Sequence, residues 1–303
     1  MTRTSPQAHA RYIDPHVLAS IGNLQIVARA VVDGFINGLH RAPHLGLSLD
    51  FAEHRPYMPG DDIRRVDWRL YARTDRYHVK QYEADTNANF MVMVDVSKSM
   101  GYGSGSITKL DYARFLAASL AYFSSLQRDR VGLITFAKEI LEYVPNSARH
   151  LDTLLHTVAS TQPRGASDYA AVLLKAQDLL RRRGIIVIVS DLYDDPAAIA
   201  AALAPLSLRG HDVIVFHVLD PAEHVLPFDA ATSIEDLESG ERLPVVPAAL
   251  RDRYHELMRE HIEALNRKLS DQRIDYIGLR TDEPLDRVLF EYLSARERRS
   301  RTR

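Results

Sequence analysis

The sequence predicts an α/β fold in which an open, mostly parallel sheet carries helices on both faces. From Asn89 onward, short apolar runs alternate with longer segments that have helical periodicity. The apolar runs have no polar face, as expected of strands that are covered on both sides. The segments between them are long enough for the helical crossovers that parallel strands require.

The composition is that of an ordinary globular protein. The chain has 303 residues, of which 46% are hydrophobic and 26% charged, and its net charge is −2. This charge balance gives no general attraction for nucleic acid, so we expect none as a partner. Because the chain has no cysteine, disulfides and thiolate metal sites are excluded. The sequence shows neither a signal-peptide pattern nor an apolar run long enough to cross a membrane, and it predicts a cytoplasmic protein without a membrane span.

The N-terminal part differs in pattern from the rest, and we predict a boundary between 1–88 and 89–303. Asp14 and Pro15 form a cap and a first helical position, and apolar residues follow at helical spacing. Beyond this helix the chain is dense in charges, aromatics and turn formers, and 77–82 alternates like a strand. The N-terminal part is therefore predicted to be a helix and a charged hairpin segment that pack against the sheet domain.

Within 89–303, five strands and six helices are predicted. A break in the alternation at about 221–247 is interpreted as a β-hairpin inserted at the edge of the sheet. The predicted strands are 90–95, 131–136, 185–190, 213–219 and 275–279, and the predicted helices are 107–127, 148–160, 168–183, 196–208, 248–271 and 284–298.

Polar side chains suited to a small hard cation stand at the ends of two of these strands. Asp95, Ser97 and Ser99 follow the first strand of the sheet, and Asp191 follows the strand at 185–190. Ser167 stands at a predicted helix start between them. In open parallel sheets, ligands gather at the carboxyl ends of the strands. Few carboxylates with several neutral oxygens are a donor set that suits Mg²⁺, so we predict a magnesium or other divalent-cation site.

Each of these residues also has a purely structural interpretation. Ser167 is a suitable N-cap for the helix that follows it. Ser97 and Ser99 can form local turn hydrogen bonds, and Asp191 can cap the turn that follows it. If these interpretations hold, the protein is a scaffold that binds no metal.

The three segments together resemble the metal-ion-dependent adhesion site of von Willebrand factor A-like domains. The matching residues are Asp95-x-Ser97-x-Ser99, then Gly165-Ala166-Ser167, then Ser190-Asp191-Leu192. The resemblance implies a cation held by all three loops, with a carboxylate of a partner protein completing its shell. Ser167 stands where that family usually has threonine, and it keeps the hydroxyl.

Residues 55–68 read RPYMPGDDIRRVDW, and residues 234–241 read IEDLESGE. The first motif resembles the signature of the domain-of-unknown-function family numbered 58, whose members carry it directly before a von Willebrand factor A-like domain. The second is similar to that family's hairpin insert. We interpret the charges around Trp68 as a salt-bridged hairpin rather than a catalytic site. The resemblance implies a MoxR-type AAA+ ATPase as partner, in the assembly or maturation of other proteins.

The predicted function is therefore a non-enzymatic, metal-dependent protein-binding module. The alternative is a Mg²⁺-dependent phosphoryl-transfer hydrolase with Asp95 as nucleophile. That reaction class usually has a second aspartate two residues after the first, where this chain has Ser97.

Overall fold

The structure, a computed structural model, describes residues 14–41, 53–56, 71, 76–81, 88–227, 232–290 and 292–293. The strands, numbered along the chain, are β1 (Glu53–Pro56), β2 (His78–Gln81), β3 (Asn89–Asp95), β4 (Arg130–Phe136), β5 (Ile140–Ser147), β6 (Gly184–Ser190), β7 (Asp212–Leu219), β8 (Thr232–Glu235), β9 (Arg242–Val245) and β10 (Asp275–Arg280). The helices are α1 (Pro15–Ala19), α2 (Leu24–Arg41), α3 (Lys109–Leu126), α4 (Leu151–Ser160), α5 (Tyr169–Leu179), α6 (Pro196–Leu208), α7 (Pro221–Val225) and α8 (Pro247–Asp271). A 3-10 turn spans Lys98–Gly101, and residues 285–290 and 292–293 are helical.

Six strands form one sheet in the order β10-β7-β6-β3-β4-β5. All neighbours in this sheet are parallel except β4 and β5, which are antiparallel. After β3 the chain adds β4 and β5 on one side of β3, and it then adds β6, β7 and β10 on the opposite side. The switch in strand order therefore lies between β3 and β6, the place where open α/β sheets bind ligands.

Helices cover both faces of the sheet, because successive side chains of each strand point to opposite sides. On one face, Phe90, Val92 and Val94 of β3 share a core with α2, α3, α4 and the helical residues after 285. On the other face, Met91 and Met93 pack with α5, α6 and α8. The N-terminal helix α2 is part of the first core, where Phe35 contacts Phe123 edge to face at 6.1 Å between ring centroids.

The α/β fold class, with its mostly parallel sheet and helices on both faces, is confirmed. Every predicted strand and helix of 89–303 is present, although of the helix at 284–298 only 285–290 and 292–293 are described. The prediction missed β5, which joins the sheet edge as an antiparallel strand. β5 reads ILEYVPNS and is half polar with an internal proline, as edge strands tolerate, so it lacks the apolar run that revealed the others.

The predicted hairpin at 221–247 exists, but its placement at the sheet edge is wrong. β8 and β9 pair only with each other and form a separate two-stranded sheet. The beginning of the segment is helical instead, because Asp220 and Glu223 form a capping box around Pro221 at the first position of α7.

The charged motif at 57–68 lies outside the described residues. The strands that flank it are described: β1 pairs with β2 in an antiparallel hairpin, which confirms the predicted strand at 77–82. None of the described helices is both long and apolar enough to span a membrane.

Candidate metal centre

Asp95 is the last residue of β3, and its carboxylate is held by three neutral donors. The side chain is fully buried. Its Oδ1 accepts a hydrogen bond from the Ser97 backbone N–H at 2.8 Å. Its Oδ2 accepts from the Tyr169 hydroxyl at 2.9 Å and from the Ser190 hydroxyl at 2.7 Å. The orientation of the Asp95 carboxylate is thus fixed by the loop after β3, by the first residue of α5 and by the end of β6.

The surroundings of Asp95 disfavour its charge. Burial, and after it the nearby charge of Asp191, raise the pKa of Asp95 to about 6. Hydrogen bonds from Ser190 and Ser97 act the other way without cancelling these effects. A carboxylate that is costly to ionise in the free protein is stabilised by any cation that approaches it.

The two serines of the motif lie together on the loop after β3. Ser97 Oγ and Ser99 Oγ are 3.0 Å apart, and Ser97 is fully buried. Two backbone hydrogen bonds connect this loop to the loop that carries Ser167: Arg164 N–H donates to Val96 O at 2.7 Å, and Lys98 N–H donates to Gly165 O at 3.0 Å. The Ser97–Ser99 loop and the Ser167 loop are therefore held side by side.

Ser167 does not cap α5, and the interpretation of this residue as an N-cap is wrong. Asp168 is the cap, because its side chain accepts the Ala171 N–H at 3.0 Å. Ser167 instead donates both its hydroxyl and its backbone N–H to the carboxylate of Glu238, at 2.9 and 3.2 Å. The predicted cation ligand on the second loop thus contacts the turn of the β8–β9 hairpin.

Asp191 follows β6, the neighbour of β3, and is also fully buried. Its Oδ2 accepts a hydrogen bond from the Lys109 ammonium at 2.8 Å. Its Oδ1 is buried and has no hydrogen-bond partner among the described residues. The side chain of Asp191 therefore accepts no N–H of the turn at 192–195, and the interpretation of Asp191 as the cap of that turn is wrong.

Lys109, which was not among the predicted site residues, provides the positive charge of the centre. Its ammonium contacts Glu223 at 2.7 Å as well as Asp191, and it lies 4.8 Å from the centre of the Tyr193 ring. Burial lowers the pKa of Lys109, but the two carboxylates outweigh burial and the pKa is raised. A signal for this residue existed: Lys109 stands at the apolar spacing of α3, on the face that includes Ala113 and Leu116.

The chemistry of the five predicted ligands suits a divalent cation. The donor set combines the carboxylates of Asp95 and Asp191 with the hydroxyls of Ser97, Ser99 and Ser167, all hard oxygen ligands. The unpartnered, buried Oδ1 of Asp191 is an acceptor that such a cation, or water bound to it, would satisfy. Among the described residues no cluster of three or more histidine, cysteine, aspartate or glutamate side chains offers a metal site, so this one depends on hydroxyls.

Comparison with known families identifies this chain. A family model described as "Protein of unknown function DUF58" matches residues 53–264. The chain belongs to this family, as the motif at 55–68 and the hairpin at 234–241 predicted.

The similarity to two uncharacterized proteins extends over nearly the whole chain. An uncharacterized protein of Mycobacterium bovis, Mb1516, is 31% identical over 292 residues, which are 94% of this chain and 91% of that protein. The uncharacterized protein Rv1480 of Mycobacterium tuberculosis has the same identity and coverage.

Solved structures with a similar arrangement have low sequence identity. An aerotolerance-related membrane protein from Bacteroides fragilis, with multiple mutations to serines, has a TM-score of 0.49 at 17% identity and covers 67% of this chain and 97% of its own. The conserved hypothetical protein BatB from Bacteroides thetaiotaomicron has a TM-score of 0.49 at 15% identity and covers 68% and 97%. The VWA domain of SpRpn10 has a TM-score of 0.42 at 14% identity and covers 66% and 92%.

Proposed function

We propose that this member of the DUF58 family is a non-enzymatic protein-binding module that depends on a divalent cation. The cation, with Mg²⁺ as the first candidate, would be held by Asp95, Ser97, Ser99, Ser167 and Asp191. When bound, it supplies a positive centre that accepts a carboxylate oxygen from an acidic residue of the partner protein.

The observation that carries the proposal is the buried Oδ1 of Asp191. An unpaired polar atom without access to water costs about 1–3 kcal/mol, so such atoms are usually satisfied by a ligand or ordered water. This oxygen stands at the switch in strand order, beside the strand that ends in Asp95. A cation site gives it a partner in the place where the fold favours ligands.

The charges around the site also support the proposal. Asp95, Asp191 and Glu223 are three carboxylates, whereas Lys109 provides one ammonium among them. With all of them ionised, two negative charges remain uncompensated. A divalent cation would neutralise this excess and would lower the energy of ionising Asp95.

The partner class follows from the same chemistry. A cation that is held mostly by neutral hydroxyls keeps enough positive character to bind a further carboxylate, which a surface aspartate or glutamate provides. The resemblance to the family suggests a MoxR-type AAA+ ATPase as this partner, with a cytoplasmic role in the assembly or maturation of other proteins. That suggestion is an analogy and needs its own test.

The hydrolase alternative has less support from the geometry. The aspartate nucleophile of that reaction class usually has a second aspartate two residues further on, whereas Ser97 occupies this position here, with its hydroxyl 3.0 Å from that of Ser99. Turnover of a generic phosphate ester that is lost in Asp95→Asn would establish the alternative.

Thermal unfolding tests the cation site. We expect millimolar Mg²⁺, added after a chelator, to raise the melting temperature of the intact protein, because a ligand that binds only the folded state stabilises it by about 2.7 kcal/mol at a hundred times its Kd. Asp95→Asn should not respond, whereas Asp178→Asn, a substitution at an exposed position on α5, should respond like the intact protein. The proposal is contradicted if Mg²⁺ raises the melting temperature of all three proteins equally, or of none of them.

The partner is tested separately. Purified MoxR-type ATPase from the same organism should bind the immobilised intact protein in Mg²⁺ and dissociate on addition of chelator. Asp95→Asn should lose this binding and Asp178→Asn should keep it. Binding that withstands both the chelator and Asp95→Asn would place the contact elsewhere on the protein.

A further inference from the structure

The turn of the β8–β9 hairpin reaches the candidate metal centre through one side chain. Within 233–244, Glu238 is half-buried and every other residue is exposed. Its Oε1 accepts the Ser167 hydroxyl at 2.9 Å, and its Oε2 accepts the Ser167 backbone N–H at 3.2 Å. Both oxygens of this carboxylate therefore bind to the predicted cation ligand on the second loop.

The shape of the turn is determined independently of this contact. The Asp236 carboxylate accepts the Glu238 N–H at 2.8 Å and the Ser239 hydroxyl at 2.7 Å. The Gly240 N–H donates to Asp236 O at 2.7 Å, and Gly240 has a φ of +76°, which glycine adopts without strain. The hairpin thus holds Glu238 in a preorganised position, which lowers the entropy lost when its carboxylate binds.

Glu238 brings a further carboxylate to the loop that carries Ser167. The loop after Asp95 is hydrogen-bonded to the Ser167 loop, and the hydroxyl of Tyr169, two residues after Ser167, contacts both Asp95 and Ser190, the residue before Asp191. Lys109 is occupied by Asp191 and Glu223. A further carboxylate at this place is favourable when a cation shares it, since like charges otherwise repel each other.

We propose that Glu238 is an intramolecular carboxylate ligand of the metal centre, occupying the place that an acidic residue of the partner would take. The inference rests on the proposed function and adds its regulation: the hairpin turn closes the centre in the free protein, and a partner carboxylate must displace it. The partner's affinity is then set by competition with a tethered ligand whose effective concentration is high.

Calorimetric titration of the full-length, chelator-treated protein with Mn²⁺ tests the ligand role. Glu238→Gln keeps the shape of the side chain but removes its charge, and we expect it to weaken Mn²⁺ binding by about tenfold or more. Glu241→Gln is the matched control, because it removes the same charge from an exposed position of the same turn. It should bind Mn²⁺ as the intact protein does.

A second measurement tests the competition. With Mn²⁺ present at saturating concentration, a short peptide with one aspartate should bind Glu238→Gln at least several-fold more tightly than it binds the intact protein or Glu241→Gln. Hydrogen exchange of residues 232–245 gives an independent readout: Mn²⁺ should slow exchange there in the intact protein and not in Glu238→Gln.

The outcomes separate this inference from the function on which it rests. If the intact protein binds Mn²⁺, Asp95→Asn does not, and Glu238→Gln behaves like Glu241→Gln, the ligand role of Glu238 is overturned while the metal centre stands. If the intact protein binds no Mn²⁺, both proposals are overturned. If Glu238→Gln binds Mn²⁺ more weakly but the peptide no more tightly, the displacement by a partner is overturned.

Discussion

Asp95 and Asp191 end neighbouring strands and are both fully buried, but their carboxylates are stabilised in opposite ways. Three neutral donors hold Asp95, and no ammonium among the described residues contacts it. A buried ammonium holds Asp191 on one oxygen, and the other oxygen has no hydrogen-bond partner in the described part of the chain. Asp191 is therefore part of a salt-bridge network with Lys109 and Glu223, whereas ionised Asp95 lowers the stability of the fold.

The largest effect is expected from removing the ammonium on which Asp191 depends. Lys109→Met should lower the free energy of unfolding by about 3–5 kcal/mol, because it leaves Asp191 and Glu223 without their counter-charge in a buried place. Urea-induced unfolding measures the change. Lys98→Met, the same substitution at an exposed position beside the site, should change stability by less than about 0.5 kcal/mol. A small effect of Lys109→Met would mean that Asp191 is stabilised without the lysine.

Neutralising the two aspartates one at a time should change stability with opposite signs in the absence of cation. Asp191→Asn takes a counter-charge from Lys109 and should destabilise by about 2–4 kcal/mol. Asp95→Asn removes a carboxylate whose pKa is raised to about 6, so that at pH 7 its ionisation opposes folding. This variant should be as stable as the intact protein or up to about 3 kcal/mol more stable. Urea unfolding in chelator at pH 7 measures the free energy of unfolding of both variants. If both are destabilised to a similar extent, the predicted difference between Asp95 and Asp191 is wrong.

A smaller effect is expected from the burial of His217, which pairs in register with Ser190 next to Asp191. Burial lowers the pKa of His217 to about 3, and the neighbouring His261 acts in the same direction. Between pH 6.5, the usual pKa, and pH 3, the unfolded chain binds a proton that the folded protein does not, so stability falls as the pH falls. Between pH 7 and pH 5, His217 by itself should lower the free energy of unfolding by about 2 kcal/mol. Asp95, whose pKa is raised, acts in the opposite direction over this range.

The control for this pH effect is a pair of histidine substitutions. His217→Gln should lose less stability than the intact protein between pH 7 and pH 5, by about the 2 kcal/mol that the buried imidazole contributes. His156→Gln, at an exposed position on α4, should follow the intact protein. Parallel curves for all three proteins would show that His217 takes up its proton in the folded state.

The sequence predicted most of the sheet because the information for it is local. Apolar runs such as 185–190 and the alternation of strand and helix are readable without knowledge of the neighbours. β5 was missed because it is an edge strand with polar residues and a proline, so its sequence has no apolar run. Its hydrogen-bonded pairing with β4 makes it a strand. The hairpin was found from its turn, but its position away from the sheet edge depends on contacts with other loops.

For the candidate site, the sequence indicated which residues to consider but not how each is bound. The alternation of Asp95, Ser97 and Ser99 after a buried strand is a local pattern, and the structure brings Ser97 and Ser99 into contact. For Ser167, the helix-start pattern favoured capping, yet the neighbouring Asp168 is the better placed acceptor and leaves the serine hydroxyl to Glu238. Local patterns assign a residue to a site, but competition between neighbours decides its role.

The sequence by itself determined the fold class, the family, and the two strand ends at which oxygen ligands collect, because these depend on periodicity and on short motifs. Only the tertiary structure decided the partners of those ligands. Lys109 lies 82 residues from Asp191, and Ser167 lies 71 residues from Glu238. The physical reason is that a buried charge pairs with an opposite charge that packing places next to it in space. The spacing of two residues along the sequence does not indicate their distance in the folded protein.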